Sequence, residues 1–331
     1  MLLSATLALA GCIVLPIPTS EDKVLAGMPV ADTQLGFLAP GQTTEAEVVE
    51  RLGPPALVWE DARVFVYPWD MRKGILLWAV GAHYAGGFGK TDLARHHLLL
   101  IRFDEGGRVA RFESLVRPSG VSLAGFIREW LGVPATSPAV DRALVLIRID
   151  LSVDGAPASP FPRPSWTAEP LFAFGLGDFE SAGRLSYAFR QEFLSDDSRR
   201  AGWVAFRLTP GTWHLGMIGP DSAVPSLVAR FGKQDEDIPR WRIEVPEEAR
   251  LVYAGTLRVM GRTDGRYMFG GGPIVKPTPG HEAEIVDERE LAAAVLAAQP
   301  GNEEPLHSAP MKRLRQGETM VFRSPLPALA R

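Results

Sequence analysis

The sequence predicts an α+β N-terminal domain, in which short helices pack on a three-stranded antiparallel sheet, followed by a mostly-β sandwich domain. Two observations predict this fold class. Early in the chain one short amphipathic helix precedes three strand-like segments, and after residue 139 short strands recur between turns that contain proline or glycine. The length of 331 residues fits two domains, because domains of about 100–200 residues are usual.

The chain begins with a nearly uncharged apolar run that ends at Cys12, its single cysteine. The segment Leu9-Ala10-Gly11-Cys12 resembles the lipobox of bacterial lipoproteins, in which small residues precede a cysteine that becomes the acylated first residue. We therefore predict a signal peptide over residues 1–11, cleaved between Gly11 and Cys12. The resemblance implies a covalent diacylglycerol and an N-acyl lipid such as palmitate on Cys12. The alternative is a buried N-terminal helix that carries an ordinary core cysteine.

Residues 12–31 contain three prolines and show no sustained periodicity, so we predict a lipidated tether. Ile13, rather than an aspartate, follows the cysteine, and by resemblance to enterobacterial lipoproteins this favours the outer membrane over the inner membrane. Residues 1–11 lack the Lys or Arg with which a signal peptide normally starts. We therefore expect the true start codon to lie upstream of Met1.

The first domain is predicted over residues 32–118. Thr44 and Glu47 have the spacing of a capping box, and apolar residues then follow at helical spacing as far as Gly53. This pattern predicts a helix over residues 45–52. Three strands are predicted after it, at residues 63–69, 98–103 and 109–115, and Asp104-Glu105-Gly106-Gly107 is typical of a hairpin turn between the last two.

Two segments of this domain resemble a known family. They are PGQTTEAEVVERLGPP (residues 40–55) and LLLIRFDEGGRVARFE (residues 98–113), and they look like the SmpA/OmlA (BamE-like) family of small outer-membrane lipoproteins. That family includes a component of the β-barrel assembly machine. The resemblance implies two helices on a three-stranded antiparallel sheet, and residues 33–38 are the only candidate for the first helix. It also implies a role in outer-membrane assembly.

Residues 119–138 are predicted to be a linker, and residues 139–286 the β-sandwich domain. Its segments LTPGTWHL and VPEEARLVYAGTL resemble prealbumin-like sandwich modules of bacterial lipoproteins. An Ala- and Leu-rich segment predicts a C-terminal helix over residues 287–300, which Pro300 and Gly301 end. Residues 301–331 are polar and aperiodic, so we predict a mobile tail there.

No arrangement of residues in the sequence predicts catalysis, a metal site or a cofactor site. Gly89-Lys90-Thr91 lacks the glycine of a phosphate-binding loop five positions earlier, where Tyr84 stands. The six histidines do not form the helical pair of a zinc protease, and His96 and His97 point to opposite faces of a strand. The net charge of −4 gives no electrostatic footprint for nucleic acid. We therefore predict a protein that is not an enzyme.

Residues 74–88 form a nearly uncharged, glycine-rich stretch between basic residues. One interpretation is a buried strand or hairpin of the first domain. The other is an exposed apolar loop that contacts a partner or the lipid interface, where Trp and Tyr are enriched. The residues we expect to make such contacts are Trp78, Tyr84 and Phe88.

Together these observations predict a lipid-anchored protein of the bacterial cell envelope that faces the periplasm, at the outer membrane. Its partners would be the membrane, through the lipid anchor, and an envelope protein. We expect protein–protein interaction that supports outer-membrane assembly or integrity. The alternative is an inhibitor-like or ligand-binding periplasmic module that uses an aromatic sheet face, for which Phe65, Tyr67 and Trp69 are the candidates.

Overall fold

The structure is a computed structural model that describes residues 12–20, 23–82, 85–133, 142–161, 171–179, 192–219, 240–266, 273–299, 304–315 and 317–323. Strands dominate this part of the chain, which contains eighteen β-strands, four α-helices and a single 3-10 turn. The chain divides into two units. Unit 1 comprises Met1–Val58 and Ala62–Val121, and unit 2 comprises Trp59–Asp61 and Ser122–Arg331.

The helix of unit 1, α1 (Glu45–Leu52), begins and ends where the sequence predicts. Thr44 is its N-cap, and the Thr44 hydroxyl accepts a hydrogen bond from the amide of Glu47. Gly53 ends the helix with a φ of 80°, a conformation that favours glycine. The only other helical element of unit 1 in the described residues is the 3-10 turn Asp32–Gln34.

The sheet of unit 1 is built on one long hairpin. Its two strands, β4 and β5, have nineteen residues each and pair antiparallel along their whole length. β6 pairs with β5, whereas β1, β2 and β3 lie beside β4. The strands are β1 (Cys12–Pro18), β2 (Val24–Gly27), β3 (Leu57–Trp59), β4 (Val64–Ala82), β5 (Ala85–Phe103) and β6 (Val109–Arg117).

The predicted fold class is wrong. The prediction was an α+β N-terminal domain of short helices on a three-stranded antiparallel sheet, followed by a mostly-β sandwich. The described residues are mostly strand, and unit 1 has one α-helix and six β-strands. In the nearly uncharged stretch over residues 74–88, residues 74–82 continue β4 and residues 85–88 begin β5, so the described part is a hairpin and not a loop. Residues 12–18, predicted as a tether, pair with β4. Pro16 and Pro18 are tolerated there because β1 is an edge strand.

One face of the unit 1 sheet packs under α1. Tyr67 and Trp69 of β4 lie with Leu99 and Ile101 of β5 in a buried cluster, which Val48 of the helix completes. The Tyr67 hydroxyl donates a hydrogen bond to the carbonyl of Gly53, at 3.0 Å. This bond ties the C-terminal end of α1 to the sheet, and burial raises the pKa of the Tyr67 phenol.

Unit 2 contains two sheets around one core. The first has the order β10-β7-β13-β14, and its β7 and β13 run parallel. The second has the order β17-β12-β11-β9, and the buried cluster takes side chains from both sheets, such as Ile147 and Trp213. The strands are β7 (Ala143–Val153), β8 (Ala156–Ala158), β9 (Ala173–Gly177), β10 (Trp203–Leu208), β11 (Gly211–Ile218), β12 (Arg240–Val245), β13 (Leu251–Arg266), β14 (Pro273–Pro277), β15 (Glu284–Val286), β16 (Leu306–Ser308), β17 (Lys312–Leu314) and β18 (Met320–Phe322).

Three α-helices lie in unit 2: α2 (Leu123–Leu131), α3 (Asp196–Arg200) and α4 (Arg289–Ala297). The predicted C-terminal helix corresponds to α4. The predicted linker over residues 119–138 instead contains α2, which buries Leu123, Ile127 and Trp130 at helical spacing behind a Ser122 N-cap. No helix of the described ranges is long and apolar enough to cross a membrane.

The C-terminal segment also differs from the prediction of a mobile tail over residues 301–331. It supplies β16, β17 and β18, and it buries Met311 and Phe322. Phe322 accepts a hydrogen bond at its carbonyl from the amide of Glu60, and Arg323 pairs with the Glu60 carboxylate. These bonds hold the end of the described chain beside Trp59–Asp61, within the same unit.

Candidate functional site

The outer part of the unit 1 hairpin forms a three-stranded arm that begins at Cys12. We call residues 12–18, 74–82 and 85–93 the arm. In its register Cys12 lies opposite Val80, and Val80 is two residues from Ala82, where β4 ends. The backbone of the predicted lipidation site therefore lies at the outer end of the arm.

Large apolar side chains of the arm are exposed. The exposed fractions of these side chains are 91% for Phe88, 54% for Leu15 and 52% for Val14. This hairpin is therefore not buried among the described residues. Trp78 is 37% exposed, so the structure exposes two of the three residues that the sequence singles out. Tyr84, the third, lies outside the described residues. Ile17 and Leu77 are also exposed.

Exposed apolar residues occur on both faces of the arm. Residues that pair directly across antiparallel strands share a face, so Leu15, Leu77 and Lys90 lie on one face. Val14 and Trp78 lie together on the other. The sequence shows a run of apolar residues here, but it could not show that the described residues of the unit leave them exposed.

The partner of Trp78 across the hairpin is Gly89. A Cβ atom at Gly89 would lie 2.6 Å from the Trp78 ring, so only glycine lets the indole lie against β5. This close approach fixes the position of a large aromatic side chain on an otherwise flat and exposed surface.

The outer part of β1 and β4 carries no charged side chain, and basic residues lie next to it. Residues 12–18 and 74–82 contain no ionisable side chain other than Cys12. Lys73 and Lys90 are exposed. The ammonium of Lys23 lies 2.9 Å from the Asp92 carboxylate, and this hydrogen bond lowers the pKa of that carboxyl.

The adjacent histidines at the inner end of the arm point to opposite faces, as predicted. His96 Nδ1 lies 2.7 Å from the Asp70 carboxylate, whereas the His97 ring stacks on Trp69 with a centroid separation of 5.3 Å. The two histidines therefore cannot chelate one ion together. Within the described ranges, no group of three or more His, Cys, Asp or Glu side chains could hold a metal ion.

His214 of unit 2 is a titratable residue that the sequence did not single out. It is 0% exposed, and neither ring nitrogen has a hydrogen-bond partner among the described residues. Burial lowers its pKa to about 3, and the charges of Arg242 and Arg240 add to that effect. The centroid of its ring lies 4.6 Å from that of Phe322, and with this lowered pKa the imidazole stays neutral at pH 7.

Unit 2 has a small pocket that is lined in part by Phe179 and Trp213. Its volume is about 40 Å³, and the polar part of its lining comes from Arg128, Asp178, Thr209, Thr212 and Arg323. A space of that size has room for one or two water molecules and not for a metabolite. The pocket therefore does not supply a substrate site.

A polar network at the start of α4 is explained by its contribution to stability rather than by a binding or catalytic role. The Glu288 carboxylate accepts hydrogen bonds from Arg148 at 2.7 Å and from Thr256 at 2.9 Å. The Tyr253 hydroxyl bonds both Thr256 and the amide of Glu288. Burial would raise the pKa of Glu288, but the bonds from Thr256 and Arg148 outweigh it and lower that pKa.

The aromatic face required by the inhibitor-like alternative is not at the surface. Tyr67 and Trp69 are buried, and Phe65 packs against the same cluster below α1. Alternate aromatic residues on this strand therefore build the core of unit 1. Among the described strands, β6 pairs only with β5 and forms one edge of this sheet.

Comparison with known proteins identifies no relative: no family model, no curated protein and no solved structure matches the chain. The resemblance to the SmpA/OmlA family therefore stays a prediction. The function is inferred from the residues of this chain alone.

Proposed function

We propose that this chain is a lipid-anchored protein of the bacterial cell envelope that acts by binding another envelope protein, without catalysis. Acyl chains on Cys12 would hold it at the periplasmic face of the outer membrane. Its binding activity would support outer-membrane assembly or integrity. The observation that carries the proposal is the lipobox-like segment before Cys12, combined with the position of that residue at the outer end of the arm.

The architecture is compatible with processing before Cys12. The described residues start at Cys12, so a mature chain that starts there retains every described strand and helix. An acyl chain attached at this position would leave from the end of a hydrogen-bonded sheet. The protein would then be held close to the membrane through a structured element, with unit 1 next to its anchor.

The surface that we assign to the protein partner is the outer edge of β6. This strand is the last of its sheet among the described residues, and a partner protein can add a strand along such an edge. Val116 on this strand is 48% exposed. The Arg111–Glu113 ion pair, also exposed, gives this edge charged side chains that oppose unspecific edge-to-edge association.

The anchor is tested by labelling cells with radioactive palmitate. We expect the label in the wild-type protein and none in a Cys12→Ser variant, with the wild-type protein in the outer-membrane fraction. Because Cys12 is the only cysteine, no other thiol can accept the lipid. Equal labelling of both proteins, or of neither, would show that Cys12 is not an acylation site.

Partner binding is tested by in vivo photocrosslinking. A photoreactive residue at Val116 is expected to give one dominant protein adduct, identified by mass spectrometry. The matched control is Val49, an exposed valine of α1, which is expected to give no dominant adduct. Adducts of the same kind at both positions, or at neither, would refute the β6 surface.

A further inference from the structure

We propose that the arm docks on the membrane itself and enters the headgroup region of a bilayer that contains anionic phospholipid. The arm would then be a second membrane contact, beside the acyl chains. This inference rests on the proposed function for the identity of the nearby membrane. Three features of the arm indicate lipid as its partner: the position of the anchor, the distribution of apolar residues and the charge.

The position of the anchor brings the arm to the lipid surface. Cys12 lies opposite Val80 in the register, next to the end of the hairpin. An acylated residue at this point can be only as far from the bilayer as its own lipid linkage allows. The neighbouring residues of β1 and β4 are therefore at the membrane surface whenever the acyl chains are inserted.

The distribution of apolar residues fits lipid better than a protein partner. A protein that packs on a sheet covers one face, whereas exposed apolar residues occur here on both faces, with Leu15 and Phe88 on one and Val14 and Trp78 on the other. An element that enters a lipid surface is surrounded on both faces. Tryptophan is enriched at that depth, because its ring is apolar and its N–H needs a polar partner.

The charges of the arm complement an anionic surface. The outer part of β1 and β4 is uncharged, while Lys73 and Lys90 are exposed and the single acidic residue of the arm, Asp92, is already paired with Lys23. Each lysine near an anionic surface strengthens binding, and its alkyl chain can cover apolar surface while its ammonium reaches the headgroups.

The open edges of the arm limit its depth. Residues 74–82 extend for roughly 27 Å at the usual rise of a strand. In the described residues, β1 pairs only with β4, and the outer part of β5 likewise pairs only with β4. Unpaired backbone N–H and C=O groups are not tolerated in hydrocarbon. The arm is therefore inclined within the headgroup region, where water and headgroups can satisfy these edges.

The test uses the mature chain, starting at position 12, with Cys12→Ser. Because this protein has no other cysteine, Phe88→Cys can carry one environment-sensitive NBD label at the arm. Val116→Cys, at an exposed valine on β6, carries the same label in a matched control. Each labelled protein is mixed with vesicles of phosphatidylethanolamine and phosphatidylglycerol, or with vesicles of phosphatidylcholine alone.

We expect a blue shift and a rise in fluorescence at position 88 with anionic vesicles, and no change at position 116. Brominated lipids should quench the label at 88. In the otherwise unlabelled protein, Phe88→Ser should weaken binding about tenfold, through loss of apolar burial. Lys73→Glu with Lys90→Glu should weaken it by at least about tenfold on anionic vesicles alone. Circular dichroism is expected to show that these exposed substitutions leave the fold intact.

Two results of the vesicle assay would overturn the proposal. One is an unchanged label at position 88 with anionic vesicles, and the other is equal responses at positions 88 and 116. A protein adduct, rather than a lipid adduct, from a photoreactive residue at position 88 in cells would likewise assign the arm to a protein partner. The vesicle assay uses an unacylated chain, so its failure is independent of palmitate labelling, which tests the anchor.

Discussion

The indole of Trp78 lies against the backbone of Gly89, its partner across the hairpin, with no room for even a Cβ atom between them. The arm thus keeps one bulky aromatic residue in a fixed position through the absence of a side chain on the opposite strand. The positions of both residues on the paired strands, rather than a buried core around them, create this arrangement. It gives a direct way to perturb the arm without removing an exposed apolar residue.

Gly89→Ala is expected to displace the Trp78 ring and loosen the pairing of the arm. Forcing a side chain into occupied space costs about 1–3 kcal/mol, so amide exchange over residues 74–82 should accelerate about tenfold or more. Hydrogen–deuterium exchange with mass spectrometry measures this rate. Gly36→Ala is the control, because a Cβ atom there meets nothing within 4 Å. Unchanged exchange in Gly89→Ala would show that the ring moves aside freely.

Tyr67→Phe is expected to lower the free energy of unfolding of unit 1 by about 1 kcal/mol. The substitution keeps the ring but removes the hydrogen bond to the Gly53 carbonyl at the end of α1. Urea denaturation, followed by circular dichroism, measures the change. A variant as stable as the wild type would mean that water replaces the hydroxyl at no cost.

Unit 2 is expected to lose stability as the pH falls below about 6.5, because of His214. Its pKa is about 3 in the folded state and ordinary in the unfolded chain, so the unfolded state binds a proton first. The loss should reach at most about 1.4 kcal/mol per pH unit between these values, and no loss from this group is expected above them.

This pH dependence is measured by urea denaturation between pH 7 and pH 4 in the wild type and in His214→Phe. The phenylalanine variant should show a flatter profile, since it has no group to protonate. His281→Gln serves as the control because His281 is exposed. Parallel profiles of wild type and His214→Phe would contradict the assignment.

Glu288→Ala is expected to destabilise unit 2 by about 2 kcal/mol or more, since it leaves Arg148 and Thr256 without their shared partner. The comparison is Glu282→Ala, which removes an ion pair to Arg313 from a carboxylate that is 78% exposed. That change should cost less than about 1 kcal/mol. Thermal unfolding of both variants measures the difference, and equal losses would show that burial of the Glu288 network is unimportant.

Local signals in the sequence were enough for parts of unit 1. Thr44 and Gly53 predicted the two ends of α1, and the Asp104 turn predicted the hairpin between β5 and β6. In that turn the Asp104 carboxylate accepts hydrogen bonds from the amides of Gly106 and Arg108. Such signals act within a few residues, so they can be identified without knowledge of the fold.

The features that could not be predicted depend on contacts between segments that are far apart in the chain. Pro16 and Pro18 favoured a tether, and only the distant pairing with residues 74–76 shows that β1 is an edge strand that tolerates them. The glycines of residues 74–88 are typical of a loop until the partner strand is known. His214 alternates with apolar neighbours like any surface residue of a strand, and its burial depends on Phe322, far away in the chain.

The bond between Glu60 and Phe322 has a consequence for the order of folding. The side chains of Glu60 and Arg323 that meet beside it are 263 positions apart in the chain. Synthesis proceeds from the N-terminus, so Trp59–Asp61 meets its C-terminal neighbours only when nearly the whole polypeptide has been made. Until then its aromatic surface stays open to misassociation. Under the export that we propose, a periplasmic chaperone would have to shield this early segment until the C-terminal residues arrive.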